Sequence, residues 1–158
     1  ARTPVQWDAS ANGGFSPEGV TPWIAVNPNY PVINAEAVLA DEDSIFYHYQ
    51  QLVALRRGKL KDLMVYASFA PVDSVQVPHN EDEAVYAYTR TGGADGSPAN
   101  ESLLVISNFT DQEQERDFAV LAEAREAGAR VELVSSNYKD DAGSTLRPYE
   151  AKVYHIVR

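Results

Sequence analysis

The spacing of hydrophobic positions changes near residue 60. Before that point, apolar side chains recur every three or four residues, which predicts an amphipathic helix from about Ser44 to Arg57. Asp43 or Ser44 can cap the N-terminus of this helix, and Gly58 can end it. A shorter helix over residues 34–40, capped by Asn34, is predicted just before it. The apolar face of the longer helix, which we call the helix stripe, consists of Ile45, Phe46, Tyr49, Leu52 and Val53.

Beyond residue 62 the hydrophobic pattern is typical of strands. Apolar and polar residues alternate, or apolar residues form short runs, and turn residues separate these segments. Residues 92–98 predict a hairpin loop, and residues 121–128 a loop or one helical turn before a strand. Several short strands at regular spacing predict an antiparallel β-sandwich. The predicted strands cover residues 65–69, 74–77, 85–89, 103–106, 116–120, 130–134 and 149–157.

The first 32 residues show neither pattern. They contain five of the nine prolines, together with Gly13, Gly14 and Gly19, and this composition disfavours helices and strands. A long irregular segment in a compact domain is uncommon unless it is functional. We therefore expect residues 1–32 to form a functional loop.

Composition narrows the class of protein. The formal net charge of −10 repels nucleic-acid phosphates, so we expect no nucleic-acid partner. The absence of cysteine excludes disulfides and thiolate chemistry and suits a reducing cytoplasm. No apolar run approaches the roughly 18 residues of a membrane span, and the first residues do not form a signal peptide. We expect a cytoplasmic protein that does not enter a membrane.

Several segments, in order, resemble one enzyme family. The opening Ala1-Arg2-Thr3-Pro4-Val5-Gln6-Trp7-Asp8 is similar to the motif A-R-T-P-M-Q-W-D, with Val5 in place of Met. Residues 12–16 and 21–30 continue the similarity, which extends through residues 85–90 and 108–110 to residues 146–151. The family is the α-glucosidase and oligo-1,6-glucosidase branch of the α-amylase superfamily, family 13 of the glycoside hydrolases.

This resemblance implies a division of the chain. Residues 1–60 would be the last loop and last helix of a catalytic (β/α)8 barrel, and residues 61–158 a C-terminal antiparallel β-sandwich domain. The fold class is therefore expected to be mostly β. The resemblance also implies that Arg2 contacts the sugar in the −1 subsite, a role that suits the fixed hydrogen-bond donors of a guanidinium.

A retaining α-glucosidase needs two carboxyl groups roughly 5 Å apart across the glycosidic bond. In the family these come from barrel strands whose motifs do not occur in this sequence, so the chain alone is expected to be inactive and to contain no catalytic residue. The resemblance implies that the parent enzyme hydrolyses terminal α-1,4 or α-1,6 bonds of short oligosaccharides. Its expected partners are that oligosaccharide and the missing barrel, with no cofactor or metal.

Two other functions stay open. A free-standing carbohydrate-binding sandwich would expose a flat aromatic platform, which Tyr86 and Tyr88 on one strand face could supply. Sucrose isomerases and trehalose synthases share much of the opening motif. The segment over residues 21–30 is more similar to glucosidases than to trehalose synthases.

Other candidate residues favour structural roles. Gln6, Asp8 and Phe15 could contact sugar, whereas packing is the more common role for aromatic residues such as Trp7 and Trp23. The three histidines, His48, His79 and His155, lack metal-ligand spacing. His79-Asn80-Glu81-Asp82 only superficially resembles a catalytic motif, and the acidic runs at residues 81–83 and 140–141 lack calcium-loop spacing.

The helix stripe has a consequence if the barrel is absent. It would face water in an isolated chain, and exposed apolar patches favour association. We expect the helix to dock on the sandwich or on a second copy, and residues 1 to about 40 to be irregular or to borrow contacts from neighbouring molecules.

Overall fold

The computed structural model describes residues 2–93 and 96–158. The chain divides into two compact units, Ala1–Val53 and Ala54–Arg158. Among the described residues, no helix is long and apolar enough to cross a membrane. The assignment of residues 1–60 to a barrel and of residues 61–158 to a separate domain stays a prediction.

The first unit is mostly irregular, as the proline and glycine content predicts. It contains a short 3₁₀ segment, Ala11–Gly14, and helix α1, Ala35–Ala40. Asn34 caps α1, because its side-chain oxygen accepts a hydrogen bond from the Ala37 amide at 2.8 Å. Helix α2, Ile45–Arg57, begins in this unit and matches the predicted longer helix.

The helix stripe on α2 is exposed. Ile45, Phe46, Tyr49 and Val53 all face solvent in the single chain, and Leu52 is half-buried. Docking of this stripe on the predicted sandwich stays a prediction. Association of the stripe with a second copy stays a prediction.

The second unit contains an antiparallel five-stranded sheet, in the order β1-β2-β3-β7-β5, and a two-stranded sheet, β4-β6. The predicted mostly β, antiparallel fold class is confirmed. Helix α3, Lys61–Val65, precedes the large sheet, and α4, Ala119–Glu126, lies between β4 and β5. The strands are β1 Ser68–Pro71, β2 Val85–Thr91, β3 Glu101–Asn108, β4 Gln114–Glu115, β5 Arg130–Ser136, β6 Thr145–Leu146 and β7 Ala151–Val157.

Both faces of the large sheet bury apolar side chains, because alternate residues of a strand point to opposite faces. On one face, Leu104 and Ile106 of β3 cluster with Ala124 of α4 and Leu146 of β6. On the other face, Leu103 clusters with Leu60, Leu63 and Ala67 around α3. Successive residues of β3 therefore belong to two different cores.

The edges of the large sheet are β1 and β5. β1 ends at Pro71, which pairs with Tyr88 and has no backbone N–H to donate. The pairing of β5 with β7 shifts register between Leu133 and Ser135. Each edge strand thus contains an irregularity.

Some sequence predictions of local structure are wrong. Residues 121–128 lie mostly in the two-turn helix α4, because Phe118, Leu121 and Ala124 pack on the sheet and Gly128 follows with φ of +76°. Residues 74–77 form no strand, and residues 116–120 lead into α4. In the predicted strand 65–69, Val65 ends α3 and β1 begins only at Ser68. The predicted hairpin loop joins β2 to β3, but Ala94 and Asp95 lie outside the described residues.

Candidate functional site

The segment that follows Arg2 is held on two sides by hydrogen bonds within the first unit. On one side, the Trp7 amide donates to the Gly13 carbonyl at 2.7 Å. On the other, the Ala35 and Glu36 amides at the start of α1 donate to the carbonyls of Gln6 and Trp7 at 2.8 and 2.9 Å. These amides lack helical partners of their own, so the start of α1 and the Gln6-Trp7 segment complete each other.

The Gln6 side chain adds long-range contacts to this segment. Its Nε2 atom donates to Asn29 Oδ1 at 3.1 Å and also to the Ile33 carbonyl. Asn34 Nδ2 donates to the Tyr30 carbonyl at 2.8 Å, so the cap of α1 is tied to the same loop. The Nε2 donors of Gln6 are therefore bound within the protein, and a sugar contact by Gln6 stays a prediction.

Asp8 closes a tight turn. Its Oδ1 atom accepts from the amide of Ser10 at 2.8 Å and from the Ser10 hydroxyl. The hydrogen bond from the Ser10 hydroxyl has the larger effect, and together with the one from the Ser10 amide it lowers the pKa of Asp8. Gly14 has φ of +66°, and a Cβ atom there would lie 2.6 Å from Asp8 Oδ2, so another residue would be strained and would displace the Asp8 carboxylate. The carboxylate and the glycine therefore depend on each other.

A shallow pocket of about 480 Å³ borders this turn. Asp8, Phe15 and Glu18 are among the residues that line it. The pocket offers carboxylate oxygens and one aromatic face, which are groups suited to binding hydroxyls and a sugar ring. Phe15, a candidate from the sequence, thus lies beside Asp8.

Arg2 is exposed and forms no hydrogen bond or ion pair with another described residue. Pro4, two residues later, is buried, so the fixed part of the chain begins just after Arg2. The guanidinium is free to bind a partner outside the unit. Whether Arg2 binds substrate stays a prediction.

The two tryptophans do not pack as predicted. Trp7 is 54% exposed and Trp23 is 90% exposed. Trp7 is thus about half covered and Trp23 almost uncovered within the described residues, so packing inside the chain does not bury either ring. Large exposed aromatic side chains in this unit are candidates for contact with another surface.

Histidine and acidic candidates in the second unit have structural partners. Asp82 forms an ion pair with Arg116 at 2.7 Å, and His79 contacts Asp73 at 2.6 Å. His155 contacts Glu101 at 2.6 Å. No group of three or more potential metal ligands exists among the described residues.

The acidic pair Asp140-Asp141 belongs to a network of ion pairs. Asp140 pairs with Arg147 at 2.7 Å, and Asp141 pairs with the fully buried Lys152 at 3.0 Å. Burial alone would raise the pKa of Asp141, but hydrogen bonds from Tyr154 and Lys152 outweigh burial and lower it. These carboxylates are bound by cations of the chain itself.

Tyr86 and Tyr88 lie on the same face of β2, as the sequence predicts, with ring centroids 6.0 Å apart. The structure adds Phe69 of β1, whose ring lies 5.1 Å from that of Tyr88. The rings are tilted to each other by 40° and 44°, so they form a row and not a flat platform. Sequence reasoning missed Phe69, because the pairing of β1 with β2 brings it beside Tyr88 from 19 residues away.

Other residues missed by sequence reasoning are the polar residues that build the first unit, such as Asn12 and Asn29. Asn12 has φ of +58°, and its side chain donates to the carbonyls of Pro17 and Val20. The Asn12-Gly13-Gly14 run was the available signal, because asparagine and glycine tolerate positive φ.

Comparison with known proteins identifies relatives. The family model of the catalytic domain of α-amylase matches residues 1–66. Trehalose-6-phosphate hydrolase of Bacillus subtilis (strain 168) is 39% identical over 159 residues, which are 100% of this chain and 26% of that protein. Oligo-1,6-glucosidase of Parageobacillus thermoglucosidasius is 39% identical over 164 residues, covering 99% of this chain and 25% of that protein. The chain thus spans about a quarter of the length of these curated relatives.

Solved structures agree with these relatives. The crystal structure of Bacillus licheniformis trehalose-6-phosphate hydrolase matches 99% of this chain and 26% of that chain, with a TM-score of 0.79 and 36% identity. Isomaltulose synthase from Klebsiella sp. LX3 matches 98% of this chain and 25% of that chain, with a TM-score of 0.71 and 30% identity. The fold and the sequence therefore point to the same group of proteins.

Proposed function

Because this chain belongs to the α-amylase family of glycoside hydrolases, we propose that it is the C-terminal part of a retaining α-glucosidase. The parent enzyme hydrolyses terminal α-1,4 or α-1,6 bonds of short oligosaccharides in the cytoplasm. Residues 1–60 complete its catalytic barrel, and residues 61–158 form a β-sandwich domain beside it. The relatives named above include hydrolases of this class, and the absence of cysteine suits a reducing compartment.

The observation that carries this proposal is the fixed segment next to Arg2. Pro4 is buried and the chain is hydrogen-bonded at Gln6 and Trp7, while Arg2 is exposed and unpaired within the described residues. A guanidinium that extends from this fixed segment can donate to sugar hydroxyls and keep a neighbouring carboxylate ionised. We assign Arg2 this role in the parent enzyme.

The chain alone is proposed to be inactive. A general acid in glycoside hydrolysis needs a raised pKa. In the described residues, every carboxyl group with a shifted pKa has it lowered, by hydrogen bonds as in Asp8 or by cations as in Asp82. This pattern supports the proposal that the general acid and the nucleophile belong to a part of the parent enzyme outside these 158 residues.

The test is a chimera in which this chain replaces the corresponding part of an oligo-1,6-glucosidase. We expect the chimera to release glucose from isomaltose or maltose, and the 158-residue chain alone to release none. Arg2→Ala should lower kcat/KM by at least about tenfold, with partial recovery in Arg2→Lys. Arg130→Ala is the matched control, because Arg130 is an exposed arginine whose ion pair among the described residues is with Glu132. Glucose release by the chain alone, or full activity of Arg2→Ala, would refute the proposal.

Sucrose isomerisation is the second candidate, favoured by the similarity to isomaltulose synthase. The chimera cannot distinguish the two functions, because its barrel comes from an oligo-1,6-glucosidase. Sucrose must instead be supplied to the parent enzyme of this chain. A parent enzyme that converts sucrose into an isomer, with little release of glucose, would favour this candidate. Release of glucose from isomaltose would favour the hydrolase.

A further inference from the structure

One face of the large sheet carries a small pocket that the proposed glucosidase activity does not use. It lies in the second unit and has a volume of about 230 Å³. Leu103 and Val105 of β3 and Met64 of α3 contribute apolar side chains to its lining. The remaining lining residues are Arg56, Phe69, Tyr88 and Arg90.

The charge of this pocket opposes that of the whole protein. Two arginines line it, and no carboxylate is among its lining residues, although the chain has a net charge of −10. Arg56 is exposed and has no hydrogen bond or ion pair to a described residue. The pocket is thus a local positive site, complementary to an anion.

Arg90 is held so that its donors remain available. Its Nε atom donates to the Leu63 carbonyl at 3.3 Å, which fixes the guanidinium beside α3. The two terminal nitrogens have no partner in the described part of the chain. A fixed guanidinium with two free nitrogens suits the oxygens of a phosphate group.

The aromatic rings supply a second kind of contact. Phe69 is 50% exposed, and its ring adjoins that of Tyr88 in the pocket lining. Tyr86, which is 41% exposed, extends the row beyond the pocket. Exposed aromatic faces next to guanidinium groups favour a ligand that combines an apolar ring face with a negative charge.

We propose that this pocket binds a phosphorylated sugar, with the phosphate on Arg56 and Arg90 and the sugar ring on Phe69 and Tyr88. The choice of a sugar as the ring rests on the proposed function, whereas the binding of an anion rests on the arginines alone. The site lies on the large sheet of the second unit, whereas Arg2 belongs to the first unit.

The test is a titration of the 158-residue chain, followed by NMR or calorimetry, with four probes: glucose 6-phosphate, glucose, maltose and inorganic phosphate. We expect glucose 6-phosphate to bind more tightly than the other three, and its affinity to fall as salt is added. Arg56→Gln and Arg90→Gln should each weaken its binding by about tenfold, or about 1.4 kcal/mol. Phe69→Ala should weaken the binding of glucose 6-phosphate but leave the binding of inorganic phosphate unchanged.

Arg130→Gln is the matched control and should bind like the unchanged protein. Circular dichroism checks folding, and Arg56→Gln keeps the test valid if Arg90→Gln is unfolded, because Arg56 is exposed. Equal binding of inorganic phosphate and glucose 6-phosphate would overturn the sugar assignment. Tighter binding of maltose, absence of binding, or unchanged binding in Arg56→Gln would overturn the whole proposal. None of these outcomes depends on hydrolysis by the chimera, so the two proposals can fail separately.

Discussion

The two units of this protein are stabilised differently. Among the described residues, every buried hydrophobic side chain except that of Pro4 lies at Leu60 or beyond, so residues 2–53 contain no apolar core. Their conformation depends on hydrogen bonds around Gln6, Asp8 and Asn34. Hydrogen bonds contribute only about 1 kcal/mol each, whereas burial of a large apolar side chain contributes about 1.5–3 kcal/mol.

This difference shows that a segment can have a defined conformation without a large free energy of unfolding. The first unit has a defined local geometry without the apolar burial that stabilises an independent domain, and it exposes large side chains such as Trp23 and Tyr49. The second unit buries apolar side chains on both faces of its sheet. We therefore expect the second unit to resist unfolding and the first to open at lower cost.

The largest expected effect is in the sheet. Leu104→Ala removes a side chain that is fully buried in the centre of the large sheet, and should lower the free energy of unfolding by about 3–4 kcal/mol. Denaturant titration followed by circular dichroism measures this change. Val53→Ala, at an exposed apolar position in the first unit, is the control and should change stability by less than about 0.5 kcal/mol. Equal effects of the two substitutions would remove the contrast between the units.

An intermediate effect is expected at the ion pair of Asp82 with Arg116. Burial alone would raise the pKa of Asp82, but hydrogen bonds from Arg116 and from the Val85 and Ala84 amides lower it. Asp82→Asn should therefore cost about 2 kcal/mol at pH 7, measured by denaturant titration. A carboxyl group whose pKa is lowered on folding stabilises the protein at pH values above its pKa in the unfolded chain, which is near 4. This stabilisation is lost as the pH falls through the pKa of the folded protein.

The difference between Asp82→Asn and the unchanged protein should therefore shrink below about pH 4. The same titration repeated between pH 7 and pH 3 tests this sign. A difference that grows on acidification would show that the carboxylate is not stabilised by its cation.

The smallest effect is expected in the first unit and should be local. In Gly14→Ala the left-handed backbone costs about 1–2 kcal/mol, a cost that Gly19→Ala shares, and the new Cβ would in addition lie 2.6 Å from Asp8 Oδ2. The turn at Gly14 should therefore open more readily than the chain at Gly19. Amide hydrogen exchange at Trp7, which donates to Gly13, reports this opening. Gly19→Ala is the matched control, because Gly19 also has positive φ but has open space around it. Loss of the whole fold in Gly14→Ala would mean that the two units unfold together.

The sequence predicted those helices and strands whose hydrophobic spacing matches the way they pack in the structure. Helix α2 and strands β2, β3 and β7 were predicted because their periodicity extends over several residues. α4 was missed because its eight residues gain their stability from the sheet, which local sequence does not report. β1 was misplaced because the burial of Leu63 in the core around α3 extends the helix to Val65.

The candidate site was predictable only in part. The opening motif drew attention to residues 1–8, and the alternation of β2 placed Tyr86 and Tyr88 on one face. The contacts of Gln6 with Asn29 and Ile33 join positions 23 and 27 residues apart within irregular chain, where no period connects them. Phe69 and Arg90 meet only through strand pairing.

The two irregular edge strands limit how copies of this protein can aggregate. Pro71 at the end of β1 offers no N–H to an incoming strand, and the bulge in β5 disturbs the straight row of groups that such a strand needs. We therefore expect growth of a continuous intermolecular β-sheet, the route to amyloid-like fibres, to be disfavoured at both edges.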